Sequence, residues 1–412
     1  MTLYILGAGI SGIGAAKLLS SQGHKNIKIL SRTPPKDTAF LKRVPVDCFE
    51  EPQLLPEDAE TLILSPSVPI NHPLILQSQK RHIPVLSEID LALQHFHGRI
   101  IGVTGTNGKS STVDMLEHIL KKDFFAKAAG NIGLSPCGLL AEKPHPDILI
   151  LELSSYQLEL SRPIASEVSI WTTFSEDHLA RHKTMKHYFD LKSRLIQSTT
   201  KHAILGPSVG EIPHLSPKLS IHRPAPTPGF PEQHNQINAA WALLAAQLIS
   251  GKKYTWEDSL ADYTSLPHRF ERLQPPANHI INDSKSTNLE STLEAVKSTQ
   301  VPLVLWIGGL DKGEDFSLLA EHTHIKKIIL FGKAHTRLFS QLSQQSHIPL
   351  FCYNTLKDAL HAEDMNENIL FSPGCASQDE FQSFEHRGQF FCHTVYKKIG
   401  DSPCTLHKPK NL

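Results

Sequence analysis

A chain of 412 residues is longer than one ordinary hydrophobic core organises, so two or three domains are expected. Apolar residues make up 40% and charged residues 20%, a balance that excludes a disordered chain. Lys plus Arg (41) equals Asp plus Glu (41), so the basic excess of a nucleic-acid binder is missing.

Met1 leads directly into an apolar strand, so no cleaved leader is expected. No apolar run approaches the ~20 residues of a membrane helix. The expectation is a cytoplasmic protein without membrane insertion. The cysteines at 48, 137, 352, 375, 392 and 404 are widely spaced, which predicts free thiols rather than a disulfide framework. The 24 histidines are scattered and read for the most part as surface or packing residues.

Short apolar runs alternate with amphipathic stretches, the pattern of βαβ units and parallel sheets. A strand over 3–6, a glycine turn, a helix over 11–21 and a strand over 27–30 form the first unit. Strands over 61–65 and 83–86 complete a first domain, 1–93. A second series opens with a strand over 99–104 and continues at 147–151, 167–172 and 202–205. A proline-rich loop over 223–231 and a helix over 238–249 close it at 266. A third series, 267–412, has strands at 279–282, 302–307, 327–331, 348–352 and 368–371. The fold class is α/β in three domains: an N-terminal Rossmann-like domain, a central phosphate-loop domain and a C-terminal Rossmann-like domain.

The central signal is Gly105-Thr106-Asn107-Gly108-Lys109-Ser110, between an apolar strand and a helix over 110–121. Glycines let the backbone approach phosphates, and successive N–H groups with the helix N-terminus supply positive potential. Lys109 reaches the β/γ oxygens, and Ser110 or Ser111 touches magnesium. The first glycine of the strict pattern is replaced by Val103. The loop makes the chain an ATP-using enzyme. Glu152 and Asp177-His178 follow neighbouring strands, where a carboxylate and an imidazole suit Mg²⁺ near a γ-phosphate.

Gly7-Ala8-Gly9-Ile10-Ser11-Gly12 suggests a dinucleotide site, but the second strand ends Leu30-Ser31-Arg32 with no acidic residue for a ribose. That disfavours NAD and leaves NADP, through Arg32, or another pyrophosphate ligand. In the third series, polar loops at 283–288, 308–313 and 372–377 each follow a strand and suggest a rim for a charged substrate.

Together these motifs resemble the Mur ligases, the ATP-dependent amino-acid ligases of peptidoglycan synthesis. The likeness runs in order along essentially the whole chain: Gly105–Ser111, Gly130-Asn131-Ile132-Gly133, Leu153-Ser154-Ser155-Tyr156-Gln157-Leu158-Glu159, Glu176-Asp177-His178, His234–Ala239, His268-Arg269-Phe270-Glu271, Asn282–Asn288, Gly308–Lys312 and Ser372–Ser377 with Phe384 and Arg387-Gly388. Two of these stretches, 153–159 and 282–288, resemble most the members that add D-glutamate to UDP-N-acetylmuramoyl-L-alanine. Thr173, Ser67 and Leu30 depart from the family's usual Asn, Gly and acidic residue.

The resemblance implies a ligase using ATP and two Mg²⁺ ions, with UDP-N-acetylmuramoyl-L-alanine and D-glutamate as substrates, acting as a monomer. It implies that Ser11, Ser31 and Arg32 contact the UDP group and Asn131 the UDP-sugar. Gly105, Thr106, Asn107, Gly108, Lys109, Ser110 and Ser111 hold ATP, with Asn235 or Asn238, Arg269 and Asp283. Ser110, Glu152 and His178 hold metal, joined by Lys192 as a carbamate. Thr287, Lys312, Ser377 and Phe384 hold D-glutamate. Lys109, His178, Lys192 and Lys312 carry the chemistry. A different Mur-type ligase, a folylpolyglutamate synthase and an NADP-dependent oxidoreductase are the alternatives.

Overall fold

The computed structural model describes residues 2–32, 51–230, 232–277, 279–345 and 347–400, with the backbone of Val46–Phe49. Pro231, Cys404 and the Cys48 side chain lie outside the described residues. Three sheets account for the alternation read from the sequence. The first holds β1 (Thr2–Leu6), β2 (Ile27–Leu30), β3 (Val46–Phe49), β4 (Ala59–Leu64) and β5 (Val85–Ser87), ordered β3-β2-β1-β4-β5. The second holds β6 (Arg99–Thr104), β7 (Ala126–Gly130), β8 (Ile148–Glu152), β9 (Val168–Trp171), β10 (His202–Leu205) and β11 (Ser220–His222), ordered β11-β10-β9-β6-β8-β7.

The third sheet holds β12 (Glu271–Arg272), β13 (Ile280–Asn282), β14 (Leu303–Gly308), β15 (Ile325–Phe331), β16 (Leu350–Cys352) and β17 (Ile369–Gly374), ordered β12-β13-β17-β14-β15-β16. Its strands pair in parallel except for the short β12, which runs antiparallel to β13. The first two sheets belong to one compact unit, and the third, from Thr264 onward, belongs to another.

Burial on both faces explains why the strands read as continuous apolar runs. Every residue of β8 is buried, and Ile148, Leu149, Ile150 and Leu151 have no exposed surface. Each such side chain contributes ~1.5–3 kcal/mol relative to an exposed one. The sequence reading did not find β7. Its residues, Ala-Lys-Ala-Ala-Gly, have low strand propensity, yet β7 packs in register along β8. The edge strand β11 was also missed, because it is short and its first residues are exposed. The helix expected over 238–249 begins earlier, at Gln233, and runs to Ser250.

In the second sheet the chain builds β6, β7 and β8 toward one edge, then returns beside β6 to build β9, β10 and β11 toward the other. The carboxyl ends of β6 and β9 therefore flank a reversal of strand order, the place where open α/β sheets form a ligand crevice. The same logic places the loops after β13, β17 and β14 side by side. The loops after β14 and β17 are tied by paired backbone bonds between Leu310 and Ala376, at 2.7 and 3.0 Å.

Candidate active site

The turn after β6 leads into a helix, Lys109–Leu120, whose N-cap Gly108 takes the left-handed conformation at φ 82°. Gly105, at φ 150°, lies against Thr172, and a Cβ there would run into the Thr172 hydroxyl. The loop is clamped from the β9 side. Thr106 N donates to Thr173 O at 2.9 Å, Asn107 N to Thr173 Oγ1 at 2.8 Å, and Thr172 Oγ1 to Asn107 O at 2.5 Å. Thr106 Oγ1 lies 3.2 Å from the Tyr188 hydroxyl. Lys109 curls over the loop, donating to the carbonyls of Gly105 and Thr106, each at 2.8 Å. Asn238, from the helix Gln233–Ser250, lies against Gly108 and accepts from Thr112 Oγ1 at 3.5 Å. Its amide reaches Asn235 Oδ1 at 3.4 Å, so both asparagines stand beside the phosphate loop. Ser110 is buried behind the loop and Ser111 is half-buried.

Glu152 ends β8 and is followed by a capping box. Ser154 accepts from Gln157 N at 3.3 Å while the Gln157 side chain accepts from Ser154 N at 2.9 Å. This fixes the exit of the chain and turns the Glu152 carboxylate inward. Its Oε1 accepts from Asn131 Nδ2 at 2.9 Å. Its Oε2 is buried with no hydrogen-bond partner among the described residues. A buried carboxylate oxygen without a donor is costly, and a divalent cation is a chemical partner that would satisfy it.

Lys192 comes from the helix Met185–Gln197, started by the Thr184 hydroxyl, which accepts from His187 N at 3.1 Å. It sits on the buried face with Tyr188, Leu191, Leu195 and Ile196. Its Nζ donates to Gly105 O at 2.7 Å and lies 4.7 Å from the centre of the Tyr188 ring. Burial and then the nearby Lys109 charge drive its amine well below the usual lysine range, against the opposing pull of Asp177 and Glu152. His178 has a left-handed backbone, φ 57°, and meets the Tyr156 ring edge-on at 5.2 Å. Its Nε2 is 3.6 Å from Asp177 Oδ2. A non-glycine residue held there costs ~1–3 kcal/mol, and such strain clusters at functional sites.

In the first sheet, Ser11 lies in the first turn of the helix Ile10–Ser21, whose start has no side-chain cap. Ser31 and Arg32 follow β2. The Arg32 guanidinium donates to Glu51 Oε1 at 3.0 Å, and that oxygen also lies 3.0 Å from His72 Nε2.

In the second unit, Asp283 is buried with both carboxylate oxygens occupied. Oδ1 accepts from Phe270 N at 3.0 Å, and Oδ2 accepts from Ser286 Oγ at 2.5 Å and Ser372 Oγ at 2.8 Å. Burial raises its pKa to about 6. Phe384 opens the helix Phe384–Ile399, with Lys285 Nζ 4.2 Å and Arg269 Cζ 5.8 Å from its ring centre. Ser377 Oγ is buried and makes no hydrogen bond among the described residues. Thr287 is half-buried on the loop after β13, and Lys312 is exposed on the loop after β14.

Residues 103–206 match the Mur ligase middle domain. Over 96% of its length the chain is 32% identical to 96% of the UDP-N-acetylmuramoylalanine–D-glutamate ligase of Leptospira interrogans (serovar copenhageni). The protein of that name from Crocosphaera subtropica is 30% identical, over 97% of this chain and all of that one. The chain belongs to the UDP-N-acetylmuramoylalanine–D-glutamate ligase family. Solved structures share the fold. UDP-N-acetylmuramate–alanine ligase from Thermotoga maritima has a TM-score of 0.60 at 15% identity, covering 96% of this chain and 99% of its own. The MurF ligase of the same organism, in complex with ADP, also has a TM-score of 0.60 at 15% identity, covering 93% and 98%.

For this family member, the structure gathers Lys109, Asn235 and Asn238 at the phosphate loop, and Asn131 at Glu152. Lys192 also reaches the loop, through Gly105. Sequence reasoning missed the clamp of Thr172, Thr173 and Tyr188, because each is an ordinary residue whose role comes from the β6–β9 crossing. It also gave no role to Arg387. That side chain is wholly buried and donates to Ser284 O at 2.8 Å and Cys375 O at 3.0 Å, which joins the loops after β13 and β17. Glu51, the partner of Arg32, carried no motif. The histidines are less scattered than composition suggested, since His178 and His182 are four residues apart.

Proposed function

We infer that this chain is the ATP-dependent ligase that joins D-glutamate to UDP-N-acetylmuramoyl-L-alanine in peptidoglycan precursor synthesis. The observation that carries the reading is identity of about 30% to ligases of that name across nearly the whole of both chains. The geometry of the phosphate loop agrees with it. The substrate's L-alanyl carboxylate oxygen attacks the γ-phosphorus of ATP, the bond to ADP breaks, and an acyl phosphate forms. The D-glutamate nitrogen then attacks the acyl carbon, loses a proton, and the carbon–oxygen bond to phosphate breaks.

Lys109 leaves the Gly105 and Thr106 carbonyls to meet the transferring phosphoryl oxygens, where its charge offsets the charge that develops. The N–H groups of Gly108–Ser111 at the helix start, which has no side-chain cap, hold the remaining phosphate oxygens, while those of Thr106 and Asn107 donate to Thr173 and shape the loop around ATP. Asn235 and Asn238 support that loop beside the nucleotide, and the family resemblance assigns Arg269 and Asp283 to ATP as well. Glu152, His178 and Ser110 hold magnesium, which supplies charge neutralisation at the phosphates when bound. The unpartnered Oε2 of Glu152 supports that assignment.

Lys192 is carbamylated in this reading. Its neutral amine adds to CO₂ and releases one proton, which puts an anion with two oxygens where the amine stood, able to serve as a ligand for a second magnesium. Ser11, Ser31 and Arg32 bind the UDP group and Asn131 the sugar side of the site. Thr287, Lys312, Ser377 and Phe384 bind D-glutamate, with the Ser377 hydroxyl donating to a carboxylate. Three domains, 1–93, 94–266 and 267–412, serve the three ligands in a cytoplasmic monomer. Phosphate release with ATP, UDP-N-acetylmuramoyl-L-alanine and a panel of amino acids tests the reading. Turnover specific to D-glutamate is expected, and turnover with another amino acid instead overturns it.

A further inference from the structure

We propose that Glu159, His182 and His187 form a binding site for a zinc-class divalent cation, separate from the magnesium ligands. One donor atom from each lies within 4.8 Å of the other two. Glu159 Oε1 is 4.0 Å from His182 Nδ1 and 4.0 Å from His187 Nε2. His182 is the decisive residue. Its side chain has no exposed surface, and its Nδ1 is buried without a hydrogen-bond partner among the described residues, facing that carboxylate oxygen.

The surroundings are those of a ligand set. His182 Nε2 lies 2.8 Å from Ser155 Oγ, so with the ring proton on Nε2 the Nδ1 lone pair points to Glu159. Burial also lowers the His182 basicity, which keeps the ring in the neutral form a metal requires. Arg181 bonds Glu159 through Oε2, at 3.0 Å from its Nε, and thereby orients Oε1 toward the two rings. His187 is half-exposed on the first helical turn, so solvent can supply the fourth position.

Two imidazoles and one carboxylate favour zinc and its neighbours, whereas magnesium prefers oxygen donors alone. A tetrahedral zinc with bonds near 2.1 Å sets its donors ~3.4 Å apart, so the carboxylate oxygen and each imidazole nitrogen draw in by roughly 0.6 Å and the two nitrogens by at most roughly 1.4 Å. Rotation of the half-exposed His187 side chain supplies most of that movement. The site is not remote from the chemistry. Tyr188 stacks on His182 at 5.5 Å, and the Tyr188 hydroxyl lies 3.2 Å from Thr106 Oγ1 of the phosphate loop.

The test is a zinc titration of the full chain against a chromophoric chelator in excess magnesium, repeated with cobalt to read the coordination spectrum. The wild type is expected to take one tight equivalent, with the visible bands of a low-coordinate cobalt site. His187→Gln, at a half-exposed position that leaves the fold intact by circular dichroism, is expected to weaken that equivalent by at least ~10-fold, the loss seen even for outer-shell partners. Glu159→Gln is expected to do the same. His202→Gln, in the unrelated His202–His222 pair, should leave it unchanged. A wild type with no tight equivalent overturns the proposal, as does a folded His187→Gln that keeps full zinc affinity.

Discussion

Lys192→Ala separates a chemical role from a packing role. The amine makes one short hydrogen bond, to Gly105 O at 2.7 Å, and one long one, to Thr104 Oγ1 at 3.4 Å. Such bonds are worth about 1 kcal/mol each, and the cavity left by a fully buried side chain adds ~2–4 kcal/mol, partly offset by no longer burying an amine, so a net loss of ~2–4 kcal/mol should still leave a protein of ordinary stability folded. Loss of one preorganised charged group at a transferring phosphoryl costs ~10²–10³ in turnover, about 3–4 kcal/mol of barrier. Activity should therefore collapse while the folded population barely changes. Thermal melting reads the first quantity and phosphate release the second. Small carboxylates such as formate or acetate should partly restore Lys192→Ala by placing oxygens in the vacated volume. Lys192→Arg should not respond, because its side chain still fills the site with positive charge. Wild-type protein under ¹³C-labelled CO₂ should show a carbamate carbon resonance that Lys192→Ala lacks. Normal turnover in a folded Lys192→Ala protein, or no such resonance in the wild type, refutes the reasoning.

Lys109→Ala should cut turnover by orders of magnitude with the fold intact, since its hydrogen bonds to Gly105 O and Thr106 O only tie the loop to itself; phosphate release near the wild-type rate in a folded variant would remove the ATP-site assignment. Ser377→Ala should raise the KM for D-glutamate about 10- to 100-fold, the worth of a hydrogen bond to a charged group, and leave the KM for ATP nearly unchanged; an equal rise for both substrates moves the pocket elsewhere. Glu88 is buried, with its Oε1 accepting from Cys137 N at 2.7 Å and its Oε2 unpartnered among the described residues, and burial raises its pKa from 4.5 to about 7. The folded state then holds a proton that the unfolded state has released, so stability falls as pH rises from about 4.5 to about 7, by roughly 3 kcal/mol in all. Urea midpoints of Glu88→Gln should lack that component, and parallel pH profiles for variant and wild type contradict the assignment.

Much of the fold was legible because burial on both faces of parallel strands leaves continuous apolar runs. The strands β2, β6 and β10 fall on the expected residues, and most others within one or two. The strand β7 was hidden for the opposite reason: alanine and glycine fit a crowded position beside β8 without any intrinsic preference for it. At the site, Lys109 was visible because a local glycine pattern specifies its geometry. The Thr172–Thr173 clamp joins residues far apart in sequence, and only the pairing of β6 with β9 makes them neighbours. His182 shows the same limit. Its significance lies in one buried nitrogen facing a carboxylate from another helix, which spacing along the chain does not encode.

The place of β6 in its sheet has a consequence for biosynthesis. Arg99 pairs with Ile148 and Ile101 with Val168, so both neighbours of the strand that feeds the phosphate loop are made after it. Such distant pairings must overcome chain-closure entropy before they stabilise anything, which makes them late events in folding. The loop's own residues leave the ribosome early, but the threonines that hold them arrive dozens of residues later. A nascent chain that stops before β9 carries the whole glycine motif and still has no ordered nucleotide site.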